Sequence, residues 1–229
     1  MVINREFIEN IEKYRCLGSG IEGTTYFDGQ NAYKIYKLNG KEHLPFNRKL
    51  LTGFKSDFIA FPIEEYKLSK HFTIGYKMPY FDGYNVYREG FNKDTLISNI
   101  ESAYLELEKE LQKFDNIYMF DIESNILFNG NKFYLIDTDR WQLNNIKNFN
   151  SSSLSLGLKI TLLKRIKYLR NVNFNDSDLN ELLYCINSVK DRNIISILNL
   201  LKEYYVFKTG SDPITIGDLE LGVNNYVRK

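Results

Sequence analysis

At 229 residues the chain is long enough to bury a substantial core and exceeds a usual domain by about half, so one large domain and two lobes are both open. Its 43% hydrophobic and 26% charged residues are those of an ordinary globular protein, and a formal net charge of +1 excludes a global attraction to nucleic acid or to a membrane surface. Two cysteines, Cys16 and Cys185, stand far apart in no CxxC pattern, which excludes a disulfide framework and a zinc site.

In chain order, residues 1–10 carry Arg5, Glu6 and Glu9 where a signal peptide needs an apolar core, and no later stretch approaches the ~20 apolar residues of a membrane span. The expected location is cytoplasmic. Tyr14 to Leu17 runs into a glycine cluster, and Thr24 to Phe27 and Ala32 to Tyr36 flank Asp28-Gly29-Gln30-Asn31, a hairpin turn between β-branched and aromatic runs. A short helix is expected from Pro45 to Leu51, stopped by Gly53. Strands are expected from Phe58 to Tyr66 and from Phe72 to Met78, separated by the polar Lys67 to His71.

After Asp94, a fair N-cap, Leu96, Ile100, Tyr104, Leu107, Leu111 and Phe114 recur at spacings of three and four and predict one long amphipathic helix. Ile126 to Phe128 and Phe133 to Ile136 flank Asn129-Gly130-Asn131, a second hairpin. The asparagine-rich Asn144 to Ser153 reads as a loop. Helical periodicity resumes from Leu154 to Leu169, from Asp178 to Val189 with Asp176 or Ser177 as cap, and from Ile194 to Val206. Strands first and helices later give an α+β chain of two segregated lobes.

Gly18-Ser19-Gly20-Ile21-Glu22-Gly23 matches GxGxxG, a pattern shared by dinucleotide-binding and kinase folds. A dinucleotide fold needs a helix directly after the glycines, but here Thr24-Thr25 leads into the Asp-Gly hairpin, so the loop joins two strands. A glycine-rich strand-turn-strand lets backbone N–H groups approach phosphate oxygens, and the third strand then delivers Lys34 beneath that cover, with Lys37 as its neighbour. A plain strand with two solvated lysines is the alternative.

Met119-Phe120-Asp121-Ile122-Glu123-Ser124-Asn125 precedes the second hairpin, and Leu135-Ile136-Asp137-Thr138-Asp139 closes it. This arrangement resembles the catalytic loop and metal-binding strand of protein-kinase-like phosphotransferases, with Ile-Asp-x-Asp in place of Asp-Phe-Gly. Ser155-Leu156-Gly157-Leu158 similarly looks like the start of a large helix in a kinase's lower lobe. The resemblance implies a five-stranded antiparallel N-lobe with one short helix over residues 1–80 and a reduced helical C-lobe over 81–229.

Further implications concern residues. Asp121 would orient the acceptor hydroxyl and take its proton, while Asn125 and Asp137 would ligate magnesium. Gly18, Gly20, Gly23 and Lys34 would hold the phosphates of ATP, and Met78 and Tyr80, at the junction of the lobes, would border its adenine. Asp139 would be a second metal ligand or a structural partner; the counter-ion of Lys34 would be Glu42, just before the short helix, with Glu64 and Glu65 of the next strand and a solvated surface role for Glu42 as the alternatives. The implied activity is transfer of a γ-phosphoryl group to a hydroxyl, on a protein in preference to a small molecule, with no nucleic-acid or membrane partner.

Departures from the pattern qualify that. The usual His-Arg before the catalytic Asp is Met119-Phe120, which argues against regulation through a phosphorylated activation loop. Asp121 to Asn125 is one residue shorter than the family loop, and the segment from Asp137 to Ser155 has no Ala-Pro-Glu. A pseudokinase that binds nucleotide or a partner protein, and a nucleotidyl transferase, are therefore the alternatives. His43, His71, Arg140, Trp141 and the basic run Lys164 to Lys167 are read as surface, rim or core residues.

Overall fold

The aromatic and β-branched runs at 24–27, 32–36 and 72–78 form strands, and the 3.6-residue periodicities of the second half form helices where they are described; residues 163–169 of the helix expected from Leu154 to Leu169, and residues 145–153 of the expected loop, lie outside the described residues. A computed structural model describes residues 5–37, 50–69, 72–144, 154–162, 177–188 and 193–227. In chain order these form α1 (Arg5–Ile11), β1 (Arg15–Ser19), β2 (Gly23–Phe27), β3 (Asn31–Tyr36), β4 (Glu64–Ser69), β5 (Phe72–Pro79), β6 (Tyr84–Asn85), α2 (Val86–Glu89) and α3 (Ile97–Leu111). There follow β7 (Ile117–Tyr118), β8 (Ile126–Phe128), β9 (Phe133–Leu135), β10 (Gln142–Leu143), α4 (154–162), α5 (Ser177–Ser188), α6 (Ile194–Thr209) and α7 (Ile216–Val227).

The chain is α+β and divides into two units, each interrupted in sequence. The first contains Met1–Phe81, Asn116–Phe120 and Leu135–Lys147, and the second Asp82–Asp115, Asp121–Tyr134 and Asn148–Lys229.

In the first unit five antiparallel strands form a sheet in the order β1-β2-β3-β5-β4. The β2–β3 turn is fixed by Asp28, whose carboxylate accepts the N–H groups of Gln30 at 2.8 Å and Asn31 at 2.7 Å while Gly29 takes φ 102°. Successive side chains of a strand point to opposite faces, and β3 is covered on both. Tyr33 and Ile35 join Ile11, Tyr66 and Ile74 under Phe7 and Ile8 of α1. Ala32 and Tyr36 face the other way, against Leu50, Ala60, Tyr76 and Met78.

Two expectations are corrected here. The strand expected from Phe58 begins only at Glu64, because Pro62 offers no N–H and the residues before it pair elsewhere: Ala60 N–H donates to Leu135 O and Leu135 N–H to Phe58 O, each at 2.8 Å. The same strand then runs on to Ser69, through residues read as a polar separator. Of the helix expected at Pro45 to Leu51, residues 45–49 lie outside the described residues, and Leu50 and Leu51 are buried but not helical.

In the second unit α3 buries Ile97, Ile100, Ala103, Tyr104, Leu107 and Leu111. Its start is three residues later than Asp94. Leu96 is the cap and makes no side-chain bond; the N–H of Ile97 is satisfied by Ile214 O at 3.0 Å, so a neighbouring backbone does the work expected of the aspartate. Phe91, Phe128 and Phe133 stack edge to face or tilted, with centroids 4.7 to 6.1 Å apart, beneath the small sheet β6-β8-β9. α3 also meets α6, where Lys202 pairs with Glu101 at 2.5 Å.

Neither α1 nor α7 was anticipated. The second begins with a reciprocal cap, in which Thr215 Oγ1 accepts the Asp218 N–H at 3.1 Å and the Asp218 carboxylate accepts the Thr215 N–H at 2.8 Å.

Candidate functional site

Lys34 lies on the same face of β3 as Ala32 and Tyr36, which carries its four-carbon stem into the interior of the first unit, and its side chain is 8% exposed. In register across the sheet stands Tyr76, and beside it Gly75, where a Cβ would come within 2.3 Å of Lys34 O. Glycine there lets β5 close fully on β3 at the lysine.

A buried ammonium costs several kcal/mol unless paired and hydrogen-bonded. Lys34 Nζ is both. It donates to Asp137 Oδ1 and, at 3.0 Å, to Asp139 Oδ2, which also accepts the Tyr36 hydroxyl at 2.9 Å. Burial, the largest influence, works against the charge, but the Asp139 and Asp137 carboxylates outweigh it and hold the lysine pKa above its ordinary value.

The two aspartates reach one ammonium because the backbone turns sharply between them. Asp137 is left-handed, at φ 60° and ψ 52°, and Thr138 to Arg140 form a 3₁₀ turn pinned by Thr138 Oγ1 donating to Ala60 O at 2.9 Å. Trp141 anchors the far end, its Nε1 donating to Phe120 O at 3.0 Å. The outcome is unequal: the Asp137 side chain is 38% exposed and that of Asp139 only 1%. Asp139 Oδ1 and the Tyr76 hydroxyl are buried with no hydrogen-bond partner among the described residues.

The glycine-rich segment is the β1–β2 turn. Gly20 N–H donates to Gly23 O at 2.9 Å, and the turn is tied to the end of β3 by Lys37, whose N–H donates to Glu22 O at 2.9 Å and whose Nζ donates to Gly20 O at 2.7 Å. Gly23 is required by the fold, since a Cβ would sit 2.4 Å from Ile35 O. Gly18 and Gly20 are not: a Cβ at either meets nothing within 4 Å, and neither has a positive φ. The acidic residue of the turn, Glu22, ion-pairs with Arg140 and stands 3.9 Å from Lys34 Nζ.

Met78 is buried on β5 opposite Ala32, and Tyr80 just beyond stacks on Phe27 with centroids 4.1 Å apart. Both therefore belong to the same face of the sheet as Lys34.

Asp121 and Asn125 lie in the second unit. Asp121 is exposed and, like Asp137, left-handed, with φ 53° and ψ 32°; no other non-glycine residue among those described has a positive φ. A 3₁₀ turn, Ile122 to Ser124, spans the shortened loop, and the Asn125 side-chain amide donates back to Asp121 O at 3.0 Å. Asn85 Nδ2 secures the turn from outside through Ser124 O at 2.8 Å. Gly157 of α4 lies against it, where a Cβ would come within 2.6 Å of the Glu123 Cα, so the Ser-x-Gly helix start allows α4 to rest on this loop. Ser155 fixes the helix through the Tyr104 hydroxyl at 2.8 Å.

The structure thus brings Lys34, Asp137 and Asp139 together in one unit and Asp121, Asn125 and Gly157 together in the other. Glu42 lies outside the described residues; among those described, the acidic partners of Lys34 are Asp137, Asp139 and Glu22. Glu22, Tyr36, Tyr76 and the Glu22 partner Arg140 were missed as members of the cluster. A buried lysine on an alternating strand implies that its same-face neighbours, Tyr36 and the cross-strand Tyr76, surround it, and that was the available signal.

Among the described residues no three His, Cys, Asp or Glu side chains gather to hold a metal ion. Magnesium needs fewer, since it takes one or two protein oxygens and completes its shell with phosphate and water. The open edge of Asp137 in the first unit has that donor chemistry, and so, taken separately, does the side-chain oxygen of Asn125 in the second.

No protein-family model matches the chain, and no curated protein does. Among solved structures, a Legionella pneumophila kinase, Lpg2603 bound to IP6, is similar over 95% of this chain and 81% of that one, with 16% sequence identity and a TM-score of 0.41. A likeness of that size carries no argument about what this chain binds or does. No helix among the described residues is long and apolar enough to cross a membrane.

Proposed function

We propose that the chain binds a nucleoside triphosphate with magnesium and transfers the γ-phosphoryl group to a hydroxyl acceptor. The observation that supports this best is the buried Lys34, held by two carboxylates from a turn more than a hundred residues away, one sealed and one open to solvent. The open carboxylate can meet a ligand from solvent while it holds the ammonium. Lys34 would meet phosphate oxygens, and Asp137 would offer an oxygen to magnesium, the role that the sequence pattern also gives to Asn125. Magnesium, when bound, would offset the charge of the phosphate oxygens.

Asp121 is the carboxylate suited to the acceptor, exposed and presented by a rigid left-handed turn. As the acceptor oxygen bonds to the γ-phosphorus, the bond from that phosphorus to its bridging oxygen breaks, the nucleoside diphosphate leaves and the hydroxyl proton passes to Asp121. A second reading, a nucleotide-binding module without transfer, is favoured by the direct bond between Lys34 and Asp137, which engages two of the proposed ligand-binding groups with each other.

The test combines two measurements. Millimolar Mg-ATP or Mg-GTP is expected to raise the melting temperature of the wild type but not of Lys34→Met, and mass spectrometry of protein incubated with Mg-ATP and hydroxyl acceptors, protein and small-molecule, is expected to find an added phosphoryl group. Unmoved melting with both nucleotides rejects nucleotide binding; a shift with neither transfer nor hydrolysis selects the binding module.

A further inference from the structure

The glycine-rich turn does more than cover the lysine: it lowers a carboxylate onto it. Glu22 bonds to the Arg140 guanidinium and stands 3.9 Å from Lys34 Nζ, so one carboxylate lies between two cations. Lys34 does not need it, because Asp137 and Asp139 already neutralise and hydrogen-bond the ammonium. Counting formal charges, Lys34 and Arg140 supply two positive and Glu22, Asp137 and Asp139 three negative, which leaves one net negative charge. With Glu22 moved away the remaining four charges balance.

The features of the turn agree with movement. It is fastened by the Lys37 contacts to Gly20 O and Glu22 O and by the Glu22 pair with Arg140, whose side chain is 43% exposed. Partly exposed ion pairs are weak, so this fastening is readily exchanged. Gly18 and Gly20 have no steric or conformational cause in the present arrangement, and glycine there leaves the backbone unhindered for a different one. Guanidinium suits phosphate as it suits carboxylate, since its fork reaches two oxygens of either at once.

We propose that Lys34 and Arg140 form an anion-binding pair for a phosphoryl group of a polyphosphate, and that Glu22 is an internal competitor for that place, so that binding displaces the glycine-rich turn. This adds Arg140 and Glu22 to the nucleotide site described above, and its nucleotide form rests on that reading. Arg140 adjoins Trp141, the single tryptophan, which supplies an intrinsic fluorescence probe one residue from the proposed pair.

The experiment titrates Mg-ATP and, separately, inorganic tripolyphosphate into wild type, Glu22→Gln, Glu22→Ala, Arg140→Gln and the double variant Glu22→Gln/Arg140→Gln, following Trp141 emission and confirming affinities by calorimetry. Glu22→Gln and Glu22→Ala are expected to bind both ligands about three- to tenfold more tightly than wild type. Arg140→Gln should weaken binding, and more strongly in the Glu22→Gln background, where no pair with Glu22 must first be broken. Tripolyphosphate binding with this dependence but no Mg-ATP binding upholds the anion pair and rejects the nucleotide reading. Mg-ATP binding that is equal in wild type and all four variants overturns the competitor and leaves the nucleotide reading standing. If neither ligand binds to any variant, both fall together.

Discussion

The two left-handed aspartates mark two different ways of holding a carboxylate. At Asp137 the chain brings charge into contact with charge: a buried ammonium, a second and fully sealed aspartate, and a tyrosine hydroxyl bond one another, so the cluster is part of what holds the first unit together. At Asp121 the backbone does the holding. The 3₁₀ turn, the Asn125 and Asn85 amides and the close approach of Gly157 fix the main chain, while the side chain is exposed. On the proposed function, the first place joins a stabilising ion pair to ligand binding, and the second presents its carboxylate from a fixed backbone.

The largest effect that can break this contrast is on rate. Asp121→Asn keeps a residue that tolerates the left-handed turn and is expected to lower phosphoryl transfer roughly 10²–10⁴-fold, with the melting temperature and Mg-ATP affinity unchanged. Equal transfer by variant and wild type would make Asp121 a turn residue only. The first unit should respond in the opposite sense. Asp139→Ala removes a sealed partner of a buried charge and is expected to cost about 3–5 kcal/mol in urea unfolding, whereas Asp137→Asn should cost less stability and more magnesium-dependent nucleotide affinity. Reversed ranking of the two on binding places the metal ligand at Asp139.

Smaller changes sharpen the contrast. The α7 cap is a charged contact in the second unit, and Asp218→Ala should cost about 1 kcal/mol with nucleotide affinity unchanged. Its backbone bond from Thr215, the largest influence, holds the Asp218 pKa below the ordinary 3.8. The sign follows: that stabilisation is fully present above 3.8 and is lost as pH falls through the folded value, so wild type and Asp218→Asn should converge in melting temperature in acid and diverge toward neutrality. Divergence on lowering the pH would contradict the cap. Smallest of all, Tyr76→Phe removes a buried hydroxyl that has no partner among the described residues, and is expected to leave stability unchanged or raise it by about 1 kcal/mol. A loss of that size or more would show that the hydroxyl is satisfied in solution, with water the obvious partner.

Local chemistry was legible and long-range pairing was not. The β2–β3 turn followed from Asp28-Gly29, and β8 and β9 from Asn129-Gly130-Asn131, because those residues act on their own backbone. The start of α3 was misplaced at Asp94 because the donor is satisfied by Ile214, more than a hundred residues on. α7 carries a readable sign, Thr215-Ile216-Gly217-Asp218, that lies outside the apolar periodicity. Lys34, Asp121, Asn125 and Asp137 were named from their order along the chain. That Asp139 is the sealed partner, that Tyr76 faces the lysine and that Glu22 reaches it depend on strand register and on the turn at Thr138, which periodicity does not contain.

The glycines offer a record that can be read without any assay. Positions 23, 75 and 157 are closed to every other residue by neighbouring backbone, whatever the protein does. Positions 18 and 20 are open as far as the fold is concerned. In a library randomised at all five and sorted only for folded protein, the first three should return glycine and the last two should scatter. Sorted for retained function, a return of glycine at 18 and 20 would measure a demand imposed from outside the polypeptide, by whatever must lie close against that turn.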